Sequence, residues 1–243
     1  MSSGTDADIV FRSDMTVELV KANASDSDVL FAARVSTKGE SSLDDVDADA
    51  SGSTGLINYL MRDRHGSPFE HNSMTFFVSA PIFVFREFMR HRIASYNEES
   101  GRYRELRPVF YVPGPDRPLI QEGKPGAYVF VDGSAEQHVL AVKEIEEQCR
   151  SAYAAYQRML DAGIAREVAR AVLPVTIYSS MYVTMNARSL MNFLSLRTKR
   201  EGSHFPSFPQ REIEMVAELM EEEWAKLMPL THAAFAANGR VSP

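Results

Sequence analysis

The chain has 243 residues, of which 44% are hydrophobic and 24% charged, and its formal net charge is -7. That is enough for one large domain or two small ones, and the negative balance argues against a nucleic-acid coat or a membrane-surface binder. No stretch approaches the ~20 apolar residues of a bilayer span, and a single cysteine, Cys149, rules out an intrachain disulfide and fits a reducing cytoplasm.

Residues 1–15 are polar and predict a frayed N-terminal tail; they lack the basic and apolar regions of a signal peptide. Residues 16–235 are expected to form one domain. Thr16 to Val20 alternate in polarity, as a strand does. Ser25 and Asp26 can cap a helix that turns Val29, Ala32 and Val35 inward. Residues 37–53 are rich in Ser, Asp and Gly and predict a mobile acidic loop. Leu56, Ile57, Leu60 and Met61 then mark an amphipathic helix. Ser73 to Val78 has strand composition. Pro81 suits the first turn of a helix that directs Ile82, Phe85 and Met89 to the core. Arg90, His91 and Arg92 would end that helix, where its dipole favours cations.

Residues 93–133 lack clear periodicity, carry five prolines, and read as loop with short extended pieces. From Ser134 a long helix is expected, with Val139, Val142, Ile145, Cys149, Tyr153, Tyr156 and Leu160 in one stripe and Gly163 at its end. Arg166 to Leu173 predicts a short helix stopped by Pro174. Thr176 to Met185 leans towards extended structure. Asn186 can cap a helix bearing Leu190, Phe193, Leu194 and Arg197. Pro209 opens the last long helix, with Ile213, Val216, Met220, Trp224 and Leu227 inward. The expected fold is α+β: a helix-rich single domain with a small antiparallel sheet, without repeats or an internal linker.

Positive charge is clustered in this acidic chain. Arg86, Arg90, Arg92, Arg102, Arg104 and Arg107 suggest a local site for small anions, or else a solvated face paired with Glu87, Glu98, Glu99 and Glu105. The densest chemistry lies between Arg90 and Tyr103. Guanidinium forks bind phosphate or carboxylate at two points. Ser100 and the Gly101 amide can donate to phosphate oxygens, and Asn97 and Glu98 can address a ring or a ribose. Together these suit a nucleoside monophosphate or a flavin pyrophosphate. No P-loop and no G-x-G-x-x-G occurs, so neither a Walker-type nor a Rossmann cradle is indicated.

The run Arg90-His91-Arg92, seven residues, then Ser100 resembles the signature of flavin-dependent thymidylate synthases, and the match extends through Ser95, Asn97, Glu98, Arg102 and Tyr103. Further stretches agree: His65 to His71, Arg170 ahead of Val172-Leu173-Pro174, and Asn186 to Asn192 with Arg197. The likeness runs from about residue 16 to 230. It implies reductive methylation of dUMP to dTMP, with methylenetetrahydrofolate as carbon donor, NADPH as reductant and FAD as cofactor. It also implies a homotetramer whose active sites are shared between subunits, while the cytoplasmic location is the expectation carried by the lone cysteine. By the same resemblance, Ser67, Arg90, His91, Arg92, Glu98, Asn186, Ala187, Arg188 and Asn192 contact FAD. Glu87, Phe88, Met89, Arg90, Glu98, Glu99, Ser100, Gly101, Arg102, Arg170 and Arg197 contact dUMP. His65 and His204 are further candidates near the flavin.

Arg197 is the expected catalytic group. Uracil C5 must become electron-rich, negative charge spreads over the pyrimidine, and a fixed guanidinium stabilises it as an electrostatic activator rather than a base. Ser100 reads as a phosphate ligand, since an unactivated hydroxyl is a poor nucleophile. Cys149, in an apolar stripe, reads as a small buried hydrophobe, which counts against a cysteine-nucleophile thymidylate synthase. His65, Glu70 and His71 lack the spacing of known zinc motifs, so no metal is expected. Arg188 and Arg197 could by themselves be surface charges, and Tyr153 and Tyr156 core packing. Two competing functions are a nucleotide-binding module without turnover and a nucleic-acid binder built on the arginine cluster; net charge opposes the second.

Overall fold

The computed structural model describes residues 9–45, 52–124 and 127–243. In chain order the elements are β1 (Val10–Arg12), β2 (Thr16–Asn23), α1 (Asp26–Lys38), a 3-10 helix (Gly39–Asp45), α2 (Thr54–Arg62), a second 3-10 helix (Ser67–Glu70), β3 (Ser73–Pro81), α3 (Ile82–Phe88) and β4 (Ser95–Glu98). There follow β5 (Val109–Tyr111), β6 (Ile120–Lys124), β7 (Ala127–Val131), α4 (Ala135–Asp161), α5 (Arg166–Ala169), a third 3-10 helix (Arg170–Val172), β8 (Tyr178–Met185), α6 (Ala187–Arg197), α7 (Arg211–Leu227) and α8 (Pro229–Ala237). This is the expected helix-rich α+β architecture with small sheets. The chain divides into two compact units whose segments alternate along the sequence.

The first unit takes residues up to Met15, Ser79–Met89 and Glu98–Met181. Its core gathers Leu106, Phe110, Cys149, Tyr153, Tyr156 and Ile177. The Tyr153 hydroxyl donates to the Leu106 carbonyl (3.2 Å) and the Leu106 amide donates to the Tyr156 hydroxyl (3.3 Å), so the two phenols are satisfied as they bury. Helix α4 starts as expected: the Ser134 side chain accepts from the Gln137 amide while Gln137 reaches back, a capping box. Its stripe is buried at Cys149, Tyr153 and Tyr156, and Ile145 and Leu160 pack half-buried against that core, but Val139 is 64% exposed, so the first turns do not pack inward in this chain. The expectation of a frayed tail fails for residues 9–15. Strand β1 pairs in parallel with β5 (Val10 opposite Val109), Met15 is buried, and the Tyr178 hydroxyl donates to the Asp14 carbonyl at 2.7 Å. Residues 1–8 lie outside the described residues.

The second unit takes Thr16–Val78, Arg90–Asn97 and Tyr182–Pro243. The four-stranded sheet runs in the order β2-β3-β8-β4, and the Thr75 and Thr184 hydroxyls lie 2.8 Å apart in it. Its helices bury Leu30, Ile57, Met61, Leu190, Phe193, Ile213, Met220 and Trp224. Helix α1 has the expected Ser25 cap, closed by Asp28. Val35 is exposed, however; Val29 and Leu30 carry the buried face instead. The acidic loop expected over 37–53 is helical at least to Asp45, and residues 46–51 lie outside the described residues. Helix α8 was not foreseen. It begins at Pro229, and its first amides are capped from afar: Asp26 accepts from the Leu230 amide (2.9 Å), the Thr231 amide (2.9 Å) and the Thr231 hydroxyl (2.6 Å).

Candidate active site

Helix α3 stops at Phe88, so Arg90, His91 and Arg92 sit in the turn that follows rather than on its last turn. Helix α6 supplies the facing groups. Asn186 caps it, its side chain accepting from the Ser189 amide at 2.9 Å, and the Ala187 amide donates to Asn72 Oδ1 at 2.8 Å. Its i, i+4 spacing then puts Arg188, Asn192 and Leu196 on one face. These two stretches line a cavity of about 850 Å³ within the second unit, together with Glu70, Ile93, Met185, Arg197, Ser242 and Pro243.

Four guanidinium groups, Arg90, Arg92, Arg188 and Arg197, line this cavity against one acidic side chain, Glu70, which pairs with Arg188. The local charge is positive in an acidic protein, which is the field an anionic ligand needs. The half-buried His91 ring meets Phe193 edge-on at 4.9 Å, and its backbone carbonyl accepts from the Tyr96 hydroxyl at 2.6 Å. Burial, then the neighbouring Arg197 charge, lowers its pKa to about 4. His91 is therefore neutral at pH 7. Arg197 Nε donates to His91 Nε2 at 3.0 Å, so the imidazole proton resides on Nδ1.

Of the residues expected at FAD, the structure brings Arg90, His91, Arg92, Asn186, Arg188 and Asn192 to this cavity, and it adds Arg197 from the dUMP set. Ser67 is exposed on its 3-10 helix and does not line it; Ala187 is fully buried and contributes a capped backbone. His65 is exposed and stacks on Tyr59 (5.5 Å), and His204 packs edge-on to Phe205 (4.5 Å); neither lines the cavity. Sequence reasoning missed Glu70, Ile93, Met185, Ser189, Leu196, Ser242 and Pro243 as lining residues, the last two because they fall beyond the stretch that carried the resemblance.

The rest of the dUMP set, Glu87, Phe88, Met89, Glu98, Glu99, Ser100, Gly101, Arg102 and Arg170, lies in the first unit. Phe88 is fully buried, so its side chain is core. Ser100 nucleates a tight turn: its carbonyl accepts from the Tyr103 (3.0 Å) and Arg104 (3.2 Å) amides, and its hydroxyl accepts from the Arg102 amide at 3.3 Å. Gly101 is buried, and a Cβ there would press on Leu106 at 3.1 Å and on the Arg170 side chain at 3.3 Å, so glycine keeps Arg170 close to the turn. The Glu98 carboxyl is pushed up by burial and by Glu99, against the opposing pull of the Ser179 hydroxyl and Arg170. The solvated-face reading holds in part: Arg104 pairs with Glu99 at 3.1 Å and Arg102 with Glu167 at 2.8 Å. Cys149 is buried, its thiol 3.3 Å from the Thr176 hydroxyl, and burial raises its pKa, as befits an inert core thiol.

An α+β fold with guanidinium forks, a neutral imidazole and amides around one cavity is the kind of site that suits an anionic, phosphorylated ligand. The family described as thymidylate synthase complementing protein matches residues 18–230, and the chain belongs to that family, that of the flavin-dependent thymidylate synthases. It is 72% identical to the flavin-dependent thymidylate synthase of Streptomyces coelicolor, over 98% of this chain and 97% of that one. The Tropheryma whipplei enzyme of the same name is 62% identical over 97% of this chain and 98% of its own. Among solved structures, the UMP/dUMP methylase PolB from Streptomyces cacaoi bound with 5-Br dUMP superposes with a TM-score of 0.91 at 60% identity, covering 97% of this chain and 100% of that one.

Proposed function

We propose that the chain carries out reductive methylation of dUMP to dTMP, with methylenetetrahydrofolate as carbon donor, NADPH as reductant and FAD as cofactor. The cationic cavity of the second unit, with its neutral imidazole, is the observation that carries the reading. FAD supplies, when bound, the hydride chemistry that completes the methyl group. The cavity fits such a group: Arg90, Arg92 and Arg188 offer forked donors for a pyrophosphate, Asn186 and Asn192 offer amides, and Ile93, Met185 and Leu196 offer apolar surface.

In the first unit, Ser100, Gly101, Arg102 and Arg170 are the groups for the dUMP phosphate, and the partly buried Glu98 is the group to address the pyrimidine or the ribose. Glu87, Met89 and Glu99 complete that set by resemblance. Arg197, oriented by its bond to His91, stabilises negative charge on the pyrimidine. Among the described residues no imidazole pairs with Ser100, which supports a ligand role for that hydroxyl over a nucleophilic one. The proposed assembly is a cytoplasmic homotetramer with shared sites.

The deciding experiment is NADPH-dependent release of label from C5 of dUMP, run with and without methylenetetrahydrofolate. Release with FAD-loaded protein supports the reading, and colourless protein that takes up no FAD and releases no label refutes it. A second reading, methylation of UMP, is favoured by the solution of PolB with 5-Br UMP as well, at 59% identity and a TM-score of 0.88, covering 97% of this chain and 99% of that one. Parallel assays with UMP separate the two.

A further inference from the structure

Arg188 is held unusually fully for a cavity arginine. Its Nε donates to the Pro243 main-chain oxygen at 2.6 Å and its Nη1 to Glu70, while Nη2 has no partner among the described residues and is the donor left for a ligand. Its remaining face lies against Gly66, where a Cβ would stand 2.5 Å from Cζ, 2.7 Å from Nε and 2.8 Å from Nη2. Gly66 has φ -75 and ψ -33, an ordinary helical conformation open to any residue. A side chain here would have to displace the Arg188 guanidinium, so the constraint at this position is space and not backbone freedom. The segment carrying Pro243 is itself fastened. Ser242 Oγ donates to the Arg188 carbonyl at 2.9 Å, the Ser242 carbonyl accepts from Arg64 at 2.8 Å, and the buried Arg240 forks onto Glu221 with two contacts of 2.8 Å.

We propose that Gly66 and the Ser242–Pro243 segment are positioning elements that form a socket for the Arg188 guanidinium and thereby set flavin affinity. This rests on the assignment of FAD to the cavity. A guanidinium clamped on one face and at two of its three nitrogens loses little conformational entropy when a pyrophosphate engages the third.

The test is titration of FAD, followed by flavin fluorescence, into full-length protein and its variants, with melting temperature measured alongside. Gly66→Ala should weaken FAD binding by about 10-fold or more and leave the melting temperature unchanged or raised, because alanine suits this backbone. Deletion of Ser242 and Pro243 should weaken binding likewise; if that variant melts too low to titrate, Ser242→Ala carries the test of the segment. In an Arg188→Ala background, Gly66→Ala should cost less than about 2-fold, since its target is gone. Unchanged affinity in Gly66→Ala, tighter binding after loss of the segment, or a full additive cost in the Arg188→Ala background would each overturn the socket. Wild-type protein that binds no FAD would overturn the cofactor assignment and the socket with it; wild-type binding with an indifferent Gly66→Ala overturns the socket alone.

Discussion

At the scale of single residues, the contact between Arg197 and His91 concentrates the chemistry. A protonated imidazole could not accept from a guanidinium, so burial that keeps His91 neutral also keeps Arg197 oriented. Arg197→Ala should reduce dTMP formation by about 100-fold or more, the scale for a preorganised charge donor, while FAD affinity changes far less; equal losses in both assays would contradict its activating role. The His91 pKa is depressed from 6.5 to about 4, so its neutral form contributes stability that is fully present above 6.5 and is lost as pH falls towards 4. An NMR titration should show the His91 ring charging near pH 4, and a midpoint near 6.5 would contradict the burial argument. Arg90, His91, Arg92, Arg188 and Arg197 were legible as site residues because the motif names residue types. Glu70 and Pro243 were not, because a surface carboxylate and a main-chain oxygen carry no signal until something places them beside a guanidinium.

At the scale of elements, local chemistry accounts for most boundaries. Ser25, Ser134 and Asn186 each cap the helix they precede, and all three were readable because a cap acts within three residues. Helix α8 shows the converse. It follows α7 after Met228, has no side-chain cap of its own, and takes its capping acceptor from Asp26 at the start of α1. Removing that buried carboxylate strands the Leu230 and Thr231 donors. Asp26→Ala should therefore cost about 2–3 kcal/mol, read as a lower urea midpoint, whereas Ser134→Ala should cost about 1 kcal/mol. Equal and small losses would mean that α8 is held by packing alone. The stripe of α4 that reads as buried starts at Val139, yet Val139 is 64% exposed, as is its neighbour Leu140 at 58%. Periodicity reports which residues share a face; it does not report whether the same chain covers that face.

At the scale of the molecule, exposed apolar residues on α4 and a function proposed to need shared sites point the same way. Sedimentation should give four chains of 27.2 kDa each, and Leu140→Asp should shift the population to smaller species; a wild-type monomer at micromolar concentration would remove the assembly from the proposal. Caps, periodicity and short motifs act over a few positions, so residue order alone carries the fold class, most elements and the residue types of the site. Packing in space settles that α3 ends before Arg90, that β1 pairs with β5 about a hundred residues on, and that residues 242–243 help to wall a cavity. Such contacts join positions far apart in the chain, and their free energy depends on distance in space, of which the order of residues keeps no direct record.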